Sequence, residues 1–211
     1  MAGKPKLVTE LDFLSSLEQG EPVTQMRLSK RVNVSIGLVN ALLKRAMHKG
    51  YVKARSAPYR RYAYYLTPRG FAEKSRLVAS YLESSLAFFR AARQEYGELF
   101  AGARRAGVRR IALAGNGELA EIALLAAREA DVEIVAVVDR LSNEDQFHGI
   151  PIVRAVEDLR GAEALVITES RRPQQTFDLL VQSASGARIL APELLRITRR
   201  PAAAGTTGAP Q

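Results

Sequence analysis

The segment from Arg110 to Asp139 constrains the fold more than any other part of the chain. It begins with the apolar run RIALA, continues through the turn GNG and an amphipathic stretch, and ends with the apolar run EIVAVV before Asp139. Short apolar runs bounded by turn residues are typical of buried strands, and the stretch between them has helical spacing. Strand, turn, helix and strand in this order predict a parallel βαβ unit.

The glycine turn of this unit has the composition of a phosphate-binding loop. Gly115 permits a tight turn, and Gly117 lets a phosphate approach the backbone where the helix begins. Asp139 follows about 20 residues later, where an acid would bind ribose hydroxyl groups. Glu118 opposes this interpretation, because its charge would repel a pyrophosphate. The pattern predicts a nucleotide site, and a Rossmann-like scaffold that binds nothing stays open as the alternative.

The residues after Asp139 continue the alternation of strands and helices. FHGIPIV predicts a loop and a short strand, VEDL a short helix, EALVIT a buried strand, PQQTFDLLVQSAS a helix and ARIL a last strand. Ligands of such sheets bind at the carboxyl ends of the strands. The candidate ligand-binding residues are therefore Gly115, Asn116, Gly117, Glu118, Asp139, Thr168 and Arg171.

Charge divides the chain into two halves. Residues 1–110 contain 21 Lys and Arg against 8 Asp and Glu, whereas residues 111–211 contain 10 against 14. The excess is concentrated between Thr24 and Arg76, with 13 basic residues and one acid. A basic first half beside an acidic second half predicts an anionic polymer as the partner of the first half alone.

Apolar spacing predicts three helices in the basic half. The first covers 7–17, the second is capped by Thr24 and continues to about residue 32, and the third is capped by Ser35 and ended by Gly50. The third helix has apolar residues on one side and small or polar residues on the other, a narrow stripe that suits the major groove of DNA. Its candidate DNA contacts are Ser35, Gly37, Asn40, Ala41 and Lys44.

A hairpin with a cationic tip is predicted after the third helix. The β-like runs YVKA and RYAYYL are joined by RSAPYR. Arg55, Arg60 and Arg61 would reach backbone phosphates or the adjacent minor groove. The hairpin closes at LTPRG, where Thr67 caps a new helix and Pro68 takes its first turn.

Two resemblances follow from these motifs. LSKRVNVSIGLVNALLKRAMHKGYVKA and RRYAYYLTPRGFAEK resemble the winged helix of MarR-type regulators, close to those associated with exopolysaccharide and lipopolysaccharide genes. This resemblance covers residues 8–74 and implies a dimeric DNA-binding regulator. GNGELA, VVD, HGIPIVRAVEDL and ALVIT are similar in layout to the Rossmann half of Rex-type redox-sensing repressors, and equally to small domains of sugar acyltransferases and nucleoside-sugar enzymes. NAD(H) and a nucleotide-sugar are the two ligand classes that this second resemblance implies.

Residues 71–107 predict one long helix with an apolar stripe. The stripe consists of Val78, Leu82, Phe89, Ala92, Tyr96, Leu99 and Ala103. Two copies of the chain packing through it would bury it and supply the two-fold symmetry of a palindromic operator. The alternative is a spacer helix packed on the second domain of the same chain. The dimer is favoured.

Together these features predict an α/β chain of four parts: a winged helix-turn-helix domain at 7–70, a linker and dimerisation helix at 71–107, a Rossmann-like sensor domain with a parallel sheet at 108–197, and a disordered tail at 198–211. The chain has no cysteine and only two histidines, so thiolate catalysis is excluded and no metal site is expected. Without a long apolar run or a signal segment, a cytoplasmic protein with no membrane partner is expected.

The expected function is transcriptional regulation. The partners would be double-stranded DNA, a nucleotide-type small molecule and a second copy of the chain. We do not expect an enzyme, because the sequence has no paired histidine and carboxylate, no nucleophile elbow and no metal cluster. The alternatives are a Rex-like NAD(H) redox sensor, an enzyme with an accessory DNA-binding domain, and a DNA-bound scaffold whose Rossmann half binds protein.

Overall fold

Three helices and a small antiparallel sheet form the N-terminal part of the chain. The computed structural model describes residues 6–18, 22–57, 61–183 and 188–198. They belong to a first unit, Met1–Ala87, and a second unit, Phe88–Gln211. The first unit contains α1 (Lys6–Ser15), β1 (Pro22–Val23), α2 (Gln25–Val32), α3 (Ile36–His48), β2 (Val52–Ala57), β3 (Arg61–Leu66) and the beginning of α4 (Pro68–Arg105). The predicted winged helix-turn-helix arrangement is confirmed.

Side-chain caps fix where the second and third helices begin. The Thr24 hydroxyl accepts a hydrogen bond from the backbone N–H of Arg27, and the Ser35 hydroxyl accepts one from the N–H of Leu38. Such caps satisfy N–H groups that have no partner within the helix. Both caps agree with the prediction. Gly50, which follows the C-cap of α3, has a φ of +71°. This left-handed conformation favours glycine and ends the helix.

The hairpin strands β2 and β3 pair antiparallel, and β1 adds a short third strand beside β3. Below this sheet the three helices enclose one apolar core. Its buried members are Phe13, Leu14, Leu17, Leu28, Val32, Val39, Leu42, Leu43, Ala46, Val52, Tyr64 and Leu77. The last of these lies on α4, so the beginning of the long helix belongs to this core.

The long helix α4 begins at a side-chain cap and has 38 residues, Pro68–Arg105. The Thr67 hydroxyl accepts a hydrogen bond from the N–H of Gly70 and donates one to the carbonyl of Gly50 at 2.6 Å. A Cβ atom at Gly70 would lie 2.1 Å from the carbonyl oxygen of Tyr51. The first turn of α4 is therefore packed directly on the end of α3.

The second unit is a mostly parallel sheet. Its elements are β4 (Arg110–Ala114), α5 (Glu118–Glu129), β5 (Glu133–Val138), β6 (Gln146–Phe147), β7 (Ile150–Val153), β8 (Ala164–Ile167), α6 (Pro173–Ser183) and β9 (Arg188–Leu190), with short 3₁₀ turns at Val156–Asp158 and Glu193–Leu195. The spatial order is β6-β7-β5-β4-β8-β9, and only β6 is antiparallel to its neighbour. The five parallel strands thus follow the Rossmann order 3-2-1-4-5. The predicted α/β class is confirmed.

Helices cover both faces of this sheet. One face packs on α5 and on the later part of α4, and the other face packs on α6. The α4 residues that enter the core are Ala92, Tyr96, Phe100 and Ala103. The Tyr96 hydroxyl donates a hydrogen bond to the carbonyl of Ile167 at 2.9 Å, and burial raises the pKa of Tyr96.

The apolar stripe of α4 therefore has two environments. From Ala92 onwards it packs within the second unit, as the spacer alternative expected. Between residues 78 and 88 the stripe residues Val78 and Leu82 are exposed, and so are the neighbouring apolar side chains of Tyr81, Leu86 and Phe88. The predicted tail lies outside the described residues except for its first residue, Thr198. Among the helices that the structure describes, none has the length and apolar composition of a membrane span.

Candidate functional site

The exposed side of α3 contains the five DNA contacts that the sequence predicts on this helix. Its apolar side, with Val39 and Leu43, lies in the core of the first unit. The side chains of Ser35, Ala41 and Lys44 are exposed, and Asn40 is half-buried. Among the five predicted contacts, the exposed groups are therefore small or polar, and Lys44 supplies one positive charge.

The elements that contact α3 carry exposed cations. Arg27 and Lys30 on α2 are exposed, as are Lys53 and Arg55 on β2. On α3, Arg45 forms an ion pair with Glu10 at 3.0 Å. Lys44, in contrast, has no hydrogen bond or ion pair to any described residue. Unpaired exposed cations of this kind are available for backbone phosphates.

The wing differs from its prediction in one respect. β2 continues to Ala57, so Arg55 lies within a strand, opposite Ala63, and not in the hairpin tip. The strand continues for three residues beyond the predicted run YVKA, because Arg55, Ser56 and Ala57 also pair with β3. Arg61 begins β3, and Arg60 lies outside the described residues.

The glycine turn lies at the carboxyl end of β4, next to the point where the strand order reverses. Gly115 has a φ of +108°, and a Cβ atom there would lie 2.8 Å from the backbone nitrogen of Glu169. The buried Thr168 hydroxyl donates a hydrogen bond of 2.6 Å to the carbonyl of Gly115. The positive φ and the lack of room for a Cβ atom thus both require glycine at position 115. The hydrogen bond from Thr168 stabilises the turn.

Gly117 has a different role in the same turn. It is the N-cap residue of α5, its φ is −85°, and its backbone makes the first helical hydrogen bonds without a side-chain cap. No atom lies within 4 Å of the position of a Cβ there. The space in front of the first turn of α5 is therefore open, as a phosphate would need.

Asp139 organises the loop after β5. One of its carboxylate oxygens accepts hydrogen bonds from the N–H groups of Leu141 and Ser142, at 2.9 and 3.1 Å. The other faces the N–H of Asn116 at 3.4 Å. The Asn116 amide in turn donates to the Ser142 hydroxyl at 3.1 Å. Gly115, Asn116, Gly117 and Asp139 are thus brought together at one edge of the sheet.

Two residues at this edge of the sheet are not among those predicted from the sequence, Ser142 and Glu169. Ser142 joins the two loops, and the pattern Asp-x-x-Ser after a strand could have indicated a turn held by side chains. Glu169 accepts hydrogen bonds from the N–H groups of Arg171 and Arg172, at 2.5 and 3.3 Å. An acid shortly before the proline that opens α6 is a recognisable helix-start signal. Arg171 itself is exposed.

The charge at the start of α5 is acidic. Glu118 and Glu121 lie in its first turn, where carboxylates stabilise the positive end of the helix dipole. Glu118 is exposed, beside the open space at Gly117. A bound phosphate would therefore share the helix end with a carboxylate, which lowers its affinity.

Other features of the described residues lie away from this edge. No group of three or more His, Asp or Glu among the described residues could hold a metal ion. A cavity of about 630 Å³ lies away from this edge, and its lining residues are Glu95, Glu98, Leu99, Ala191, Pro192, Glu193, Arg196 and Ile197. It contains none of the residues that the sequence predicts for a site.

Comparison with known proteins gives partial likenesses. No family model matches the chain. The 4-hydroxy-tetrahydrodipicolinate reductase of Streptococcus uberis is 37% identical over 71 residues, 33% of this chain and 28% of the reductase. The zinc-responsive MarR family member ZitR of Lactococcus lactis is 23% identical, with a TM-score of 0.32 over 46% of this chain and 65% of its own. Human N-acetylserotonin methyltransferase, solved with SAM, is 13% identical, with a TM-score of 0.31 over 76% and 63%. The chain spans less than two thirds of the length of each of these three proteins.

Proposed function

We propose that this protein is a sequence-specific DNA-binding transcriptional regulator whose second unit senses a nucleotide-type ligand. The observation that carries the proposal is the exposed side of α3. It presents small and hydrogen-bonding groups on a capped helix, and α2 and β2, which contact this helix, carry exposed cations. A helix with this surface fits the major groove, and the cations fit the phosphates on either side.

The proposal assigns different tasks to different residues of the first unit. Asn40 would read a base edge, because an amide can pair with adenine in the major groove through two hydrogen bonds. The same contact between α3 and the major groove would include Ser35, Gly37, Ala41 and Lys44. Arg55, Arg60 and Arg61 of the wing would bind phosphates, which position the protein without reading sequence.

Asn40→Ala is expected to weaken binding to a selected DNA site by about 1–3 kcal/mol and to relax the base preference there. Arg55→Ala should instead weaken binding to every sequence and make it less dependent on salt. Fluorescence anisotropy of labelled duplexes at several salt concentrations measures both. Gln94→Ala, which removes an exposed amide of the second unit, is the control. Wild-type binding that does not respond to salt would contradict the proposal.

The ligand part of the proposal rests on the edge of the sheet at Gly115. The open first turn of α5 would receive a phosphate, Asp139 would meet a ribose, and Arg171 would face a second anionic group. NAD(H) and a nucleotide-sugar are the two ligand classes proposed. The first would make the protein a redox sensor of the Rex kind. The second agrees with control of surface polysaccharide genes, as the resemblance of the first unit implies.

Gly117→Val is expected to reduce nucleotide affinity at least about tenfold, because a branched side chain would occupy the open space at the start of α5. Glu118→Gln should act in the opposite direction, since it removes a negative charge beside the phosphate. A thermal-shift screen with NAD(H), NADP(H) and common nucleotide-sugars measures both changes. Asp139→Ala is a poorer probe, because the same carboxylate holds the loop at Leu141 and Ser142.

Failure of every nucleotide to stabilise the wild type would favour the scaffold alternative, in which the second unit binds protein. Turnover of a nucleotide would favour an enzyme, and we propose none. The proposal further includes a homodimer through the exposed stripe of α4 and a cytoplasmic location, where a regulator meets its DNA. In this proposal residues 7–70 form the DNA-binding domain, residues 71–107 the dimerisation helix and residues 108–197 the sensor domain.

A further inference from the structure

The first residue of α3 is an exposed isoleucine. Ile36 follows the Ser35 cap, and 46% of its surface is exposed. The apolar core of the first unit is formed by other side chains of this helix, among them Val39 and Leu43. Ile36 is not among the side chains that form this core or pack against it, so the core does not account for a large apolar side chain at this position.

Ile36 is aligned with the residues proposed to contact DNA. Residues four apart lie one above the other on a helix, so Ile36, Asn40 and Lys44 form one row. The row begins with an apolar group, continues with an amide and ends with a cation. Residues at the N-terminal end of a recognition helix are those that reach base edges. Ile36 lies at that end of α3, one turn before Asn40.

The neighbouring glycine gives independent support. Gly37 is helical, and apart from its chain neighbours and the backbone of its own helix no described atom lies within 4 Å of the position of a Cβ there. Neither a left-handed backbone nor a packed neighbour requires glycine at this position, although alanine is the better helix former. Because glycine has no side chain, a partner outside the unit can come close to Ile36 at the first turn of α3.

The major groove presents one apolar group to such a side chain. Thymine has a methyl group at C5, whereas the other bases present hydrogen-bonding edges there. We propose that Ile36 packs on the methyl group of a thymine next to the base that Asn40 contacts, and so makes thymine a required base of the recognised site. This inference rests on the proposed function and adds a specificity-determining residue to it.

The test removes the methyl group from the DNA and the side chain from the protein. A preferred site is first selected from random duplexes with the full-length wild type. Each thymine of that site is then replaced by deoxyuridine, which lacks only the methyl group. At one thymine the wild type should lose about fourfold in affinity, the effect of removing one methyl-sized apolar contact. Ile36→Ala should bind the thymine site more weakly and no longer distinguish thymine from uracil there.

Leu38→Ala is the matched control. Leu38 is similarly exposed, at 43%, but two residues further along it lies on another side of α3. This variant should keep the full response to deoxyuridine. A wild type that binds every deoxyuridine duplex as tightly as the thymine duplex would overturn the role of Ile36 and leave DNA binding intact. A response that persists in Ile36→Ala would overturn it too. Selection of no sequence at all would overturn the proposed function, and this inference with it.

Discussion

Gly115→Ala is expected to lower the free energy of unfolding by about 3 kcal/mol or more. The backbone at this position has a φ of +108°, which an L side chain rarely adopts. The new Cβ would also lie 2.8 Å from the nitrogen and 2.9 Å from the Cα of Glu169. Both are backbone atoms, so relief requires β4 and β8 to separate at their carboxyl ends. That movement would weaken the 2.6 Å hydrogen bond from Thr168 to the carbonyl of Gly115.

Gly117→Ala is the matched control in the same turn. Gly117 has an ordinary φ, and its Cβ position is open. Alanine is a poor N-cap, so a loss of no more than about 1 kcal/mol is expected. Urea unfolding followed by far-ultraviolet circular dichroism suits both variants, because the chain has no tryptophan. Equal losses in the two variants would show that the close approach at Glu169 does not constrain the turn.

The helices of the first unit could be predicted closely from the sequence, because the forces that begin and end them are local. Thr24 and Ser35 each cap a helix through a backbone group three residues ahead. Gly50 ends α3 through its own conformation. Residue type within one turn is enough to identify such features. The apolar side of α3 follows from spacing for the same reason.

Contacts between distant residues could not be predicted in this way. The glycine turn was recognisable from its composition, but the Thr168 hydroxyl that holds it comes from 53 residues further along the chain. The sequence predicts that Asp139 faces a ligand. The hydrogen bonds that its carboxylate accepts from the N–H groups of Leu141 and Ser142 depend on the conformation of the folded loop, which composition does not give. Strands β1 and β6 have two residues each, too few for an alternating pattern.

The long helix illustrates the limit of periodicity. Its apolar stripe continues at the same spacing from Val78 to Ala103, yet among the described residues only the later part packs against a core. Phe89 packs at the edge of the second core and is half-buried, so it is not a suitable position for disrupting a dimer. A repeat of apolar residues indicates that a face is to be buried, whereas the partner depends on the tertiary structure.

A second copy of the chain is the partner that we propose for the exposed part of the stripe. The large apolar side chains between residues 78 and 88 include Leu82 and Leu86, each more than half exposed. Large apolar side chains that are exposed close together on one helix are candidates for an interaction surface. A two-fold dimer would bury the same patch on both copies and present two α3 helices to two half-sites.

Leu82→Glu is therefore expected to raise the dimer dissociation constant on the order of 100-fold or more, because burying an unpaired carboxylate in an apolar interface costs several kcal/mol. Light scattering at micromolar concentration should find a wild-type dimer and a monomeric variant. The affinity for the operator should fall together with dimerisation, because each monomer binds a single half-site. Ala87→Glu adds the same charge at an exposed position on the opposite side of α4, so this control should stay dimeric. A monomeric wild type, or equal dissociation of both variants, would contradict the dimer, and the stripe would then need a partner other than a second copy.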